Sequence, residues 1–382
     1  MKYRKFGKTN ETVSVLGFGC MRLPLLEGGD PSQIDEPLAI RLIHVAIDNG
    51  VNYIDTAFPY HGTGRSEGGQ SEPFVAKALK NGYREKVKLA TKLPSWLIKT
   101  REDMDTYLDQ QLKRLETDHI DFYLVHGINR QVWASLKDAG VAEFLDAAIK
   151  DGRIRYAGFS FHDKLDLFKE VVDYYDWSFC QIQYNYLDEQ YQAGTEGLEY
   201  AAAKDLGIAV MEPLRGGKLA GNLPESVLDA FNQAEVKRTP ADWALRWVLN
   251  RPEVAVILSG MNTEEQVSEN LKTADEAEAH TLTEKESGII EQVKSVFRAR
   301  MKVDCTACGY CMPCPVGVNI PACFSFYNNY GMFGKKDEAY NIWLPQPQRA
   351  SNCIACNKCE SHCPQEIQIS EEMKHVKDAL ES

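Results

Sequence analysis

The chain has 382 residues, 44% of them hydrophobic, which is enough to bury one large core and a smaller second one. A formal net charge of −12 without a clustered basic face excludes nucleic acid and anionic membrane surfaces as expected partners. The start, Met1-Lys2-Tyr3-Arg4-Lys5-Phe6, leads into no apolar run, and no segment approaches the ~20 apolar residues of a membrane span, so a cytoplasmic location is expected.

From the amino terminus the chain alternates strand and helix patterns. Tyr3 to Phe6 and Thr12 to Val15, joined across Lys8-Thr9-Asn10-Glu11, predict a short hairpin. Short apolar runs typical of buried strands follow at Val15 to Gly19, Tyr53 to Ala57, Val87 to Leu93, Asp121 to His126, Ile154 to Phe161, Phe179 to Tyr186, Ile208 to Leu214 and Ala255 to Ser259. Helical periodicity fills the intervals, at Pro37 to Asn49, Gln70 to Asn81, Arg101 to Glu116, Val141 to Lys150, Lys164 to Tyr174, Gly194 to Leu206, Thr239 to Leu249 and Asn262 to Ala274. Thr239-Pro240 reads as an N-cap followed by a proline at the first helical position. Strand-helix alternation sustained over roughly 250 residues predicts an α/β fold of (β/α)8 barrel type. An open doubly wound sheet would need a glycine fingerprint that Gly17-Phe18-Gly19-Cys20-Met21-Arg22 lacks.

Parallel barrels assemble their sites at the carboxyl ends of the strands. The strand at Tyr53 delivers Asp55 and, shortly after, Tyr60; the next carries Lys92 near its end; the one after that finishes at His126. Singly these residues read as a buried salt-bridge partner, a rim aromatic and a core histidine. Jointly they bring an acid, a phenol, an ammonium and an imidazole to one barrel end.

The stretches Gly50-Val51-Asn52-Tyr53-Ile54-Asp55-Thr56-Ala57 with Tyr60, Ala90-Thr91-Lys92, Asp121-Phe122-Tyr123-Leu124-Val125-His126 and Gly158-Phe159-Ser160 together resemble the aldo-keto reductase superfamily, over about residues 1 to 275. The resemblance implies an NAD(P)-dependent oxidoreductase that reduces a small carbonyl substrate with the tetrad Asp55, Tyr60, Lys92 and His126. The chemistry is consistent with that. Hydride delivery to a carbonyl carbon leaves charge on its oxygen, so a proton donor and an electropositive pocket must meet there. Tyr60 is the expected donor, with Lys92 lowering its pKa from ~10, Asp55 holding Lys92, and His126 orienting the carbonyl oxygen. Phe58, Trp96, Trp133 and Phe161 are expected to make the pocket partly aromatic.

For the cofactor, the resemblance implies that Ser160 and Gln181 hold the nicotinamide amide, with Phe161 where the family often has asparagine. Met211 stands in place of the usual stacking aromatic, and Glu212 follows it. Pro213-Leu214-Arg215-Gly216-Gly217-Lys218 supplies glycines that let backbone amides approach a pyrophosphate. The segment from Ser259 through Gly260, Met261 and Gln266 to Asn270 opens a helix, where anions are favoured. NADP-preferring relatives carry a Lys-Ser pair and an arginine in this segment. Here Gly260, Met261 and Gln266 take those places, so NAD is favoured, with Arg215 and Lys218 as the remaining cations.

Of 11 cysteines, nine lie between Cys305 and Cys363, which marks a second domain. Cys305-x2-Cys308-x2-Cys311-x2-Cys314-Pro315 and Cys353-x2-Cys356-x2-Cys359-x3-Cys363-Pro364 are runs of iron-sulfur type. A triplet at two-residue spacing wraps one cluster while the cysteine before proline reaches the other. The expected sets are Cys305, Cys308, Cys311 and Cys363 on one [4Fe-4S], and Cys353, Cys356, Cys359 and Cys314 on a second. The first run is one residue short before Cys314, so at least one cluster is expected and two are predicted. A two-zinc site is the alternative. Cys323 falls outside both sets and is expected to be a buried structural thiol. The division reads as a barrel at 1–281, a linking helix at 282–300 and a mainly helical ferredoxin-type domain at 301–382, whose spacing resembles ferredoxin domains of respiratory reductase subunits.

Two functions compete. One is a carbonyl reductase whose clusters are an accessory electron port, serving a one-electron redox partner protein, or a structural element. The alternative is an electron-transfer protein in which a barrel-bound redox cofactor serves the clusters without a carbonyl substrate. Nicotinamide moves electrons in pairs and a cluster passes one, so the alternative requires an intermediary such as flavin. No flavin signature is evident, which favours the reductase.

Overall fold

The computed structural model describes residues 1–64 and 66–382. Strands β1 (Tyr3–Lys5) and β2 (Thr12–Ser14) form the expected antiparallel hairpin, with Tyr3 opposite Ser14. Then come β3 (Leu16–Gly19), β4 (Tyr53–Asp55), β5 (Lys88–Leu93), β6 (Ile120–Ile128), β7 (Ile154–Phe161), β8 (Phe179–Gln183), β9 (Gly207–Met211) and β10 (Val254–Ser259). These eight are parallel and pair in chain order, and β10 closes on β3 to complete the barrel. The (β/α)8 expectation holds, with strand ends shifted by a few residues.

Side chains of alternate residues point to opposite sides of each strand, which gives two packed layers. The inner layer includes Tyr53, Ala90, Phe122, Leu124, Phe179, Ala209 and Val256. Phe6, just past β1, fills it from below, 4.9 Å edge-on from Phe122 and 5.3 Å from Phe179. Gly207 is required there, since a Cβ would lie 2.6 Å from the Phe6 ring. The outer layer joins the strands to the helices through residues such as Ile54, Leu89, Tyr123, Phe159 and Ile182. The helix Pro240–Leu249 begins as read, with the Thr239 hydroxyl accepting from the Asp242 amide at 3.1 Å.

The chain forms two compact units, Met1–Ala220 with Arg238–Thr283, and Gly221–Lys237 with Glu284–Ser382. The second unit includes a helix outside the eight expected ones, Glu225–Asn232, which packs on Glu284–Ala299. Its buried residues are Val227, Ala230 and Phe231, and those of the longer helix include Ile290, Val293 and Phe297. A second core gathers Val303, Val318, Ile320, Phe324, Tyr340, Ile369, Met373 and Val376 between the helices Ile320–Phe333 and Ile369–Leu380. Asn328 pins the backbone leading to the first cysteine run: its Oδ1 accepts from the amides of Lys302 and Val303, both at 2.9 Å, and its Nδ2 donates to the Val303 carbonyl at 2.7 Å. No helix among the described residues is long and apolar enough to cross a membrane.

A chain ending at Thr283 keeps all eight barrel strands but strips Glu225–Asn232 of its partner helix. In hydrogen exchange, segment 221–237 should lose its protection in that truncated chain while the strands keep theirs. Unchanged protection of 221–237 would show that the segment does not depend on Glu284–Ala299 for its order.

Candidate active site and cysteine cavities

Asp55 is the last residue of β4 and pairs with Ala90 of β5, so the next residue of β5 on the same face is Lys92. Lys92 Nζ donates to both Asp55 oxygens, at 2.8 and 2.7 Å, and to the Thr56 carbonyl at 2.9 Å. Its side chain is entirely buried. The Tyr60 hydroxyl lies 3.3 Å from the same nitrogen. His126, on β6, places its ring 6.0 Å from that of Tyr60, edge-on, and 5.2 Å from Trp96. The four residues singled out from sequence therefore do converge.

Burial opposes the Lys92 ammonium, but Asp55 and then Tyr60 more than offset it, so Lys92 titrates above the ordinary lysine range and stays charged. The expected downward pull of Lys92 on the Tyr60 phenol is present, but the net shift of the phenol is upward. Burial pushes the phenol up, and the pull of Lys92 is the smaller effect. Tyr60 is consequently a neutral phenol at neutral pH, with a proton to give.

The aromatic pocket also needs correcting. Trp96 reaches the site, but Trp133 is buried under Tyr174 at 4.9 Å and donates from Nε1 to Glu170 at 2.9 Å. Phe161 belongs to the outer layer, 5.1 Å from Phe168, because it follows the inward-facing Ser160. Phe58 packs on Tyr107 at 5.2 Å.

Ser160 and Gln181 stand opposite one another across β7 and β8. Ser160 Oγ accepts from the Gly127 amide at 2.7 Å, which leaves its own proton to donate. Gln181 Nε2 reaches Met211 Sδ at 3.4 Å, while its buried Oε1 has no hydrogen-bond partner. A buried donor and an orphaned acceptor side by side fit a carboxamide such as that of nicotinamide. Beyond β9, Pro213 is buried and Leu214 half-buried, Gly216 and Gly217 adopt φ of 68° and 92°, and Lys218 follows. Beyond β10, Asn270 Nδ2 donates to Ser259 Oγ at 3.0 Å, Met261 is buried, and Gln266 Oε1 accepts from the Asn262 amide at 2.9 Å. Gln266 is thus turned back on its own helix start.

A residue not singled out from the sequence stands between these loops. Arg22 follows β3, and a Cβ on Gly216 would lie 3.0 Å from its guanidinium, while one on Gly260 would lie 3.2 Å from its Cβ. Its charge acts on both Tyr60 and Glu212. The signal was a cation just past the first barrel strand, in the same Gly17 to Arg22 segment tested for a fingerprint.

In the second unit, one cavity is lined by Cys305, Cys308, Cys311 and Cys363. A second, of about 370 Å³, is lined by Cys314, Cys353, Cys356 and Cys359 and also by Cys311, which the two cavities share. Each cavity draws three cysteines from one run and the pre-proline cysteine of the other, the donor chemistry that an iron-sulfur cluster takes. Cys323 is buried away from both sets, its Sγ 3.6 Å from the Gln348 carbonyl, and burial pushes its thiol up to about 12.

Comparison with known proteins agrees with these features. Residues 304–367 match the 4Fe-4S dicluster domain. An uncharacterized oxidoreductase of Bacillus subtilis, YrpG, is 28% identical over 72% of this chain and 91% of its own length. The NADH-specific methylglyoxal reductase of Escherichia coli is 27% identical over 71% of this chain and 93% of its own. Among solved structures, the holo form of aldo-keto reductase AKR11C1 from Bacillus halodurans superposes with a TM-score of 0.63 at 28% identity, covering 77% of this chain and 96% of that one. Residues 15–295 match the Aldo/keto reductase family, and with the closed barrel in place the chain belongs to that family.

Proposed function

We propose that the barrel reduces the carbonyl group of a small substrate, with Tyr60 as the proton donor. The observation that carries this reading is the Tyr60 hydroxyl 3.3 Å from the buried ammonium of Lys92, which Asp55 holds in its charged form. A nicotinamide dinucleotide, when bound, supplies the hydride. The rest is done by the chain. Lys92 stabilises the phenolate left after proton transfer, Asp55 fixes Lys92 through two hydrogen bonds, and His126, edge-on to Tyr60, orients the substrate oxygen. Ser160 and Gln181 would hold the carboxamide, and Gly216, Gly217 and Gly260 would admit the pyrophosphate beside Arg22. The name of the Escherichia coli relative, an NADH-specific reductase, supports the preference for NAD. The two cysteine cavities would each hold a [4Fe-4S] cluster, as an electron port toward a one-electron partner or as a structural element.

Tyr60→Phe should lower aldehyde turnover to less than a tenth while leaving NADH affinity within about twofold, because only the donor is removed. Turnover above that level would exclude Tyr60 as the acid. Fluorescence titration should show NADH binding at least as tightly as NADPH, and Arg22→Met should weaken both by ~10-fold through loss of one charge-assisted contact. A hundredfold preference for NADPH would place cations elsewhere on the 2′-phosphate. Anaerobically prepared protein should carry about eight iron and about eight sulfide, the content of two [4Fe-4S] clusters. About four of each would leave one cavity without its cluster, and zinc without sulfide would overturn the assignment.

A further inference from the structure

Glu72 has no solvent exposure, and a carboxylate at that depth persists only where donors satisfy it. It is the second residue of the helix Ser71–Ala78, and its two oxygens are committed to different parts of the barrel. Oε1 accepts from Thr91 Oγ1 at 2.7 Å and from Gln111 Nε2 at 2.6 Å. The same Gln111 nitrogen reaches the backbone carbonyl of Lys92 at 3.0 Å, and the Tyr123 hydroxyl donates to Gln111 Oε1 at 2.8 Å. Oε2 accepts from Arg114 Nε at 2.8 Å, and Arg114 Nη2 donates in turn to the Gly69 carbonyl.

Gly69 is pressed against the segment that carries Tyr60. Its amide donates to the Phe58 carbonyl at 2.8 Å, and a Cβ there would lie 2.0 Å from the Tyr60 carbonyl oxygen. The Ser71 amide donates to that same oxygen at 3.1 Å. A single carboxylate therefore connects the backbone behind Lys92 to the backbone behind Tyr60.

We propose that Glu72, acting through Arg114 and Gln111, is a positioning residue that sets the Tyr60 hydroxyl against the Lys92 ammonium. The proposal rests on the reading of Tyr60 as proton donor. Stability alone gives little reason for the arrangement, since hydrophobic replacement of a buried ion pair is often neutral. Register gives a better one: a displacement of ~1 Å at a reacting group costs on the order of 10²-fold in rate. Burial raises the Glu72 carboxyl, and Arg114, Thr91 and Gln111 pull it back only in part.

Two variants test this in the full-length protein. Glu72→Gln can still accept from Thr91 and Gln111 but presents an amide to Arg114. Arg114→Met cuts the same link from the half-buried side and stands in if Glu72→Gln does not fold. The first readout is the resonance of isotope-labelled tyrosine rings, with the Tyr60 signal assigned by its loss in Tyr60→Phe. In both variants the Tyr60 signal and its titration should shift. The second readout is turnover, where kcat should fall by ~10-fold or more, KM and the NADH Kd should stay within about twofold, and the deuterium isotope effect on kcat should rise. A Tyr60 signal unmoved in a folded variant, or a kcat that falls only with the folded fraction at an unchanged isotope effect, would reduce Glu72 to a structural role and overturn the proposal. If the wild-type protein reduces no aldehyde, the donor reading of Tyr60 fails, while the Tyr60 resonance still decides whether Glu72 positions it.

Discussion

The buried pair of Lys92 and Asp55 is the constraint on which the barrel's upper end depends. A charge with no access to water carries a desolvation penalty of several kcal/mol, and removing one partner of such a pair costs ~3–5 kcal/mol. Lys92 can therefore occupy the barrel interior only where Asp55 and the Thr56 carbonyl reach it. That fixes the register of β4 on β5, and the chain leaving β4 then brings the Tyr60 hydroxyl to the one remaining side of the ammonium. Burial keeps the phenol neutral and Asp55 keeps the lysine charged, so the site holds an acid beside a charge ready to stabilise its conjugate base.

Strand alternation distributes the rest of the chemistry. On β5, Ala90 and Lys92 face inward while Thr91 between them faces the helices and meets Glu72 and Gln111. On β7, Ser160 faces inward and Phe161 outward. The inward face that carries the tetrad and the outward face that supports it are thus set on the same strands, one residue apart. In the second unit the corresponding constraint is the cysteine set, since each cavity is closed only when two sequence-distant runs come together around it.

Much of this was legible in the sequence because it is local. Apolar runs gave the eight barrel strands, residues near or just past the ends of three of them gave the tetrad, and cysteine spacing gave the crossed sets. What was not legible depends on distant partners. Arg114 and Glu72 lie 42 residues apart, and nothing near either one predicts the other. Glu225–Asn232 has too few residues to announce its periodicity, and its apolar face makes sense only against Glu284–Ala299. Trp133 and Phe161 were assigned to the pocket on residue type. For Phe161 the period-two pattern already opposed this, because its neighbour Ser160 was assigned inward. The direction of the Tyr60 shift was missed because burial of a hydroxyl cannot be read from composition, and here burial outweighs the neighbouring charge.

The central claim is that hydride passes directly to a carbonyl carbon in the barrel, in a chain that also carries cysteine sets for one-electron carriers. The most direct test uses NADH deuterated at the transferring position, supplied with a simple aldehyde under anaerobic conditions, followed by mass analysis of the alcohol. Direct transfer predicts one deuterium on the carbinol carbon of each product molecule. An unlabelled alcohol, or no alcohol with electrons appearing instead on a one-electron dye, would contradict the account and identify the barrel as a feeder for the clusters.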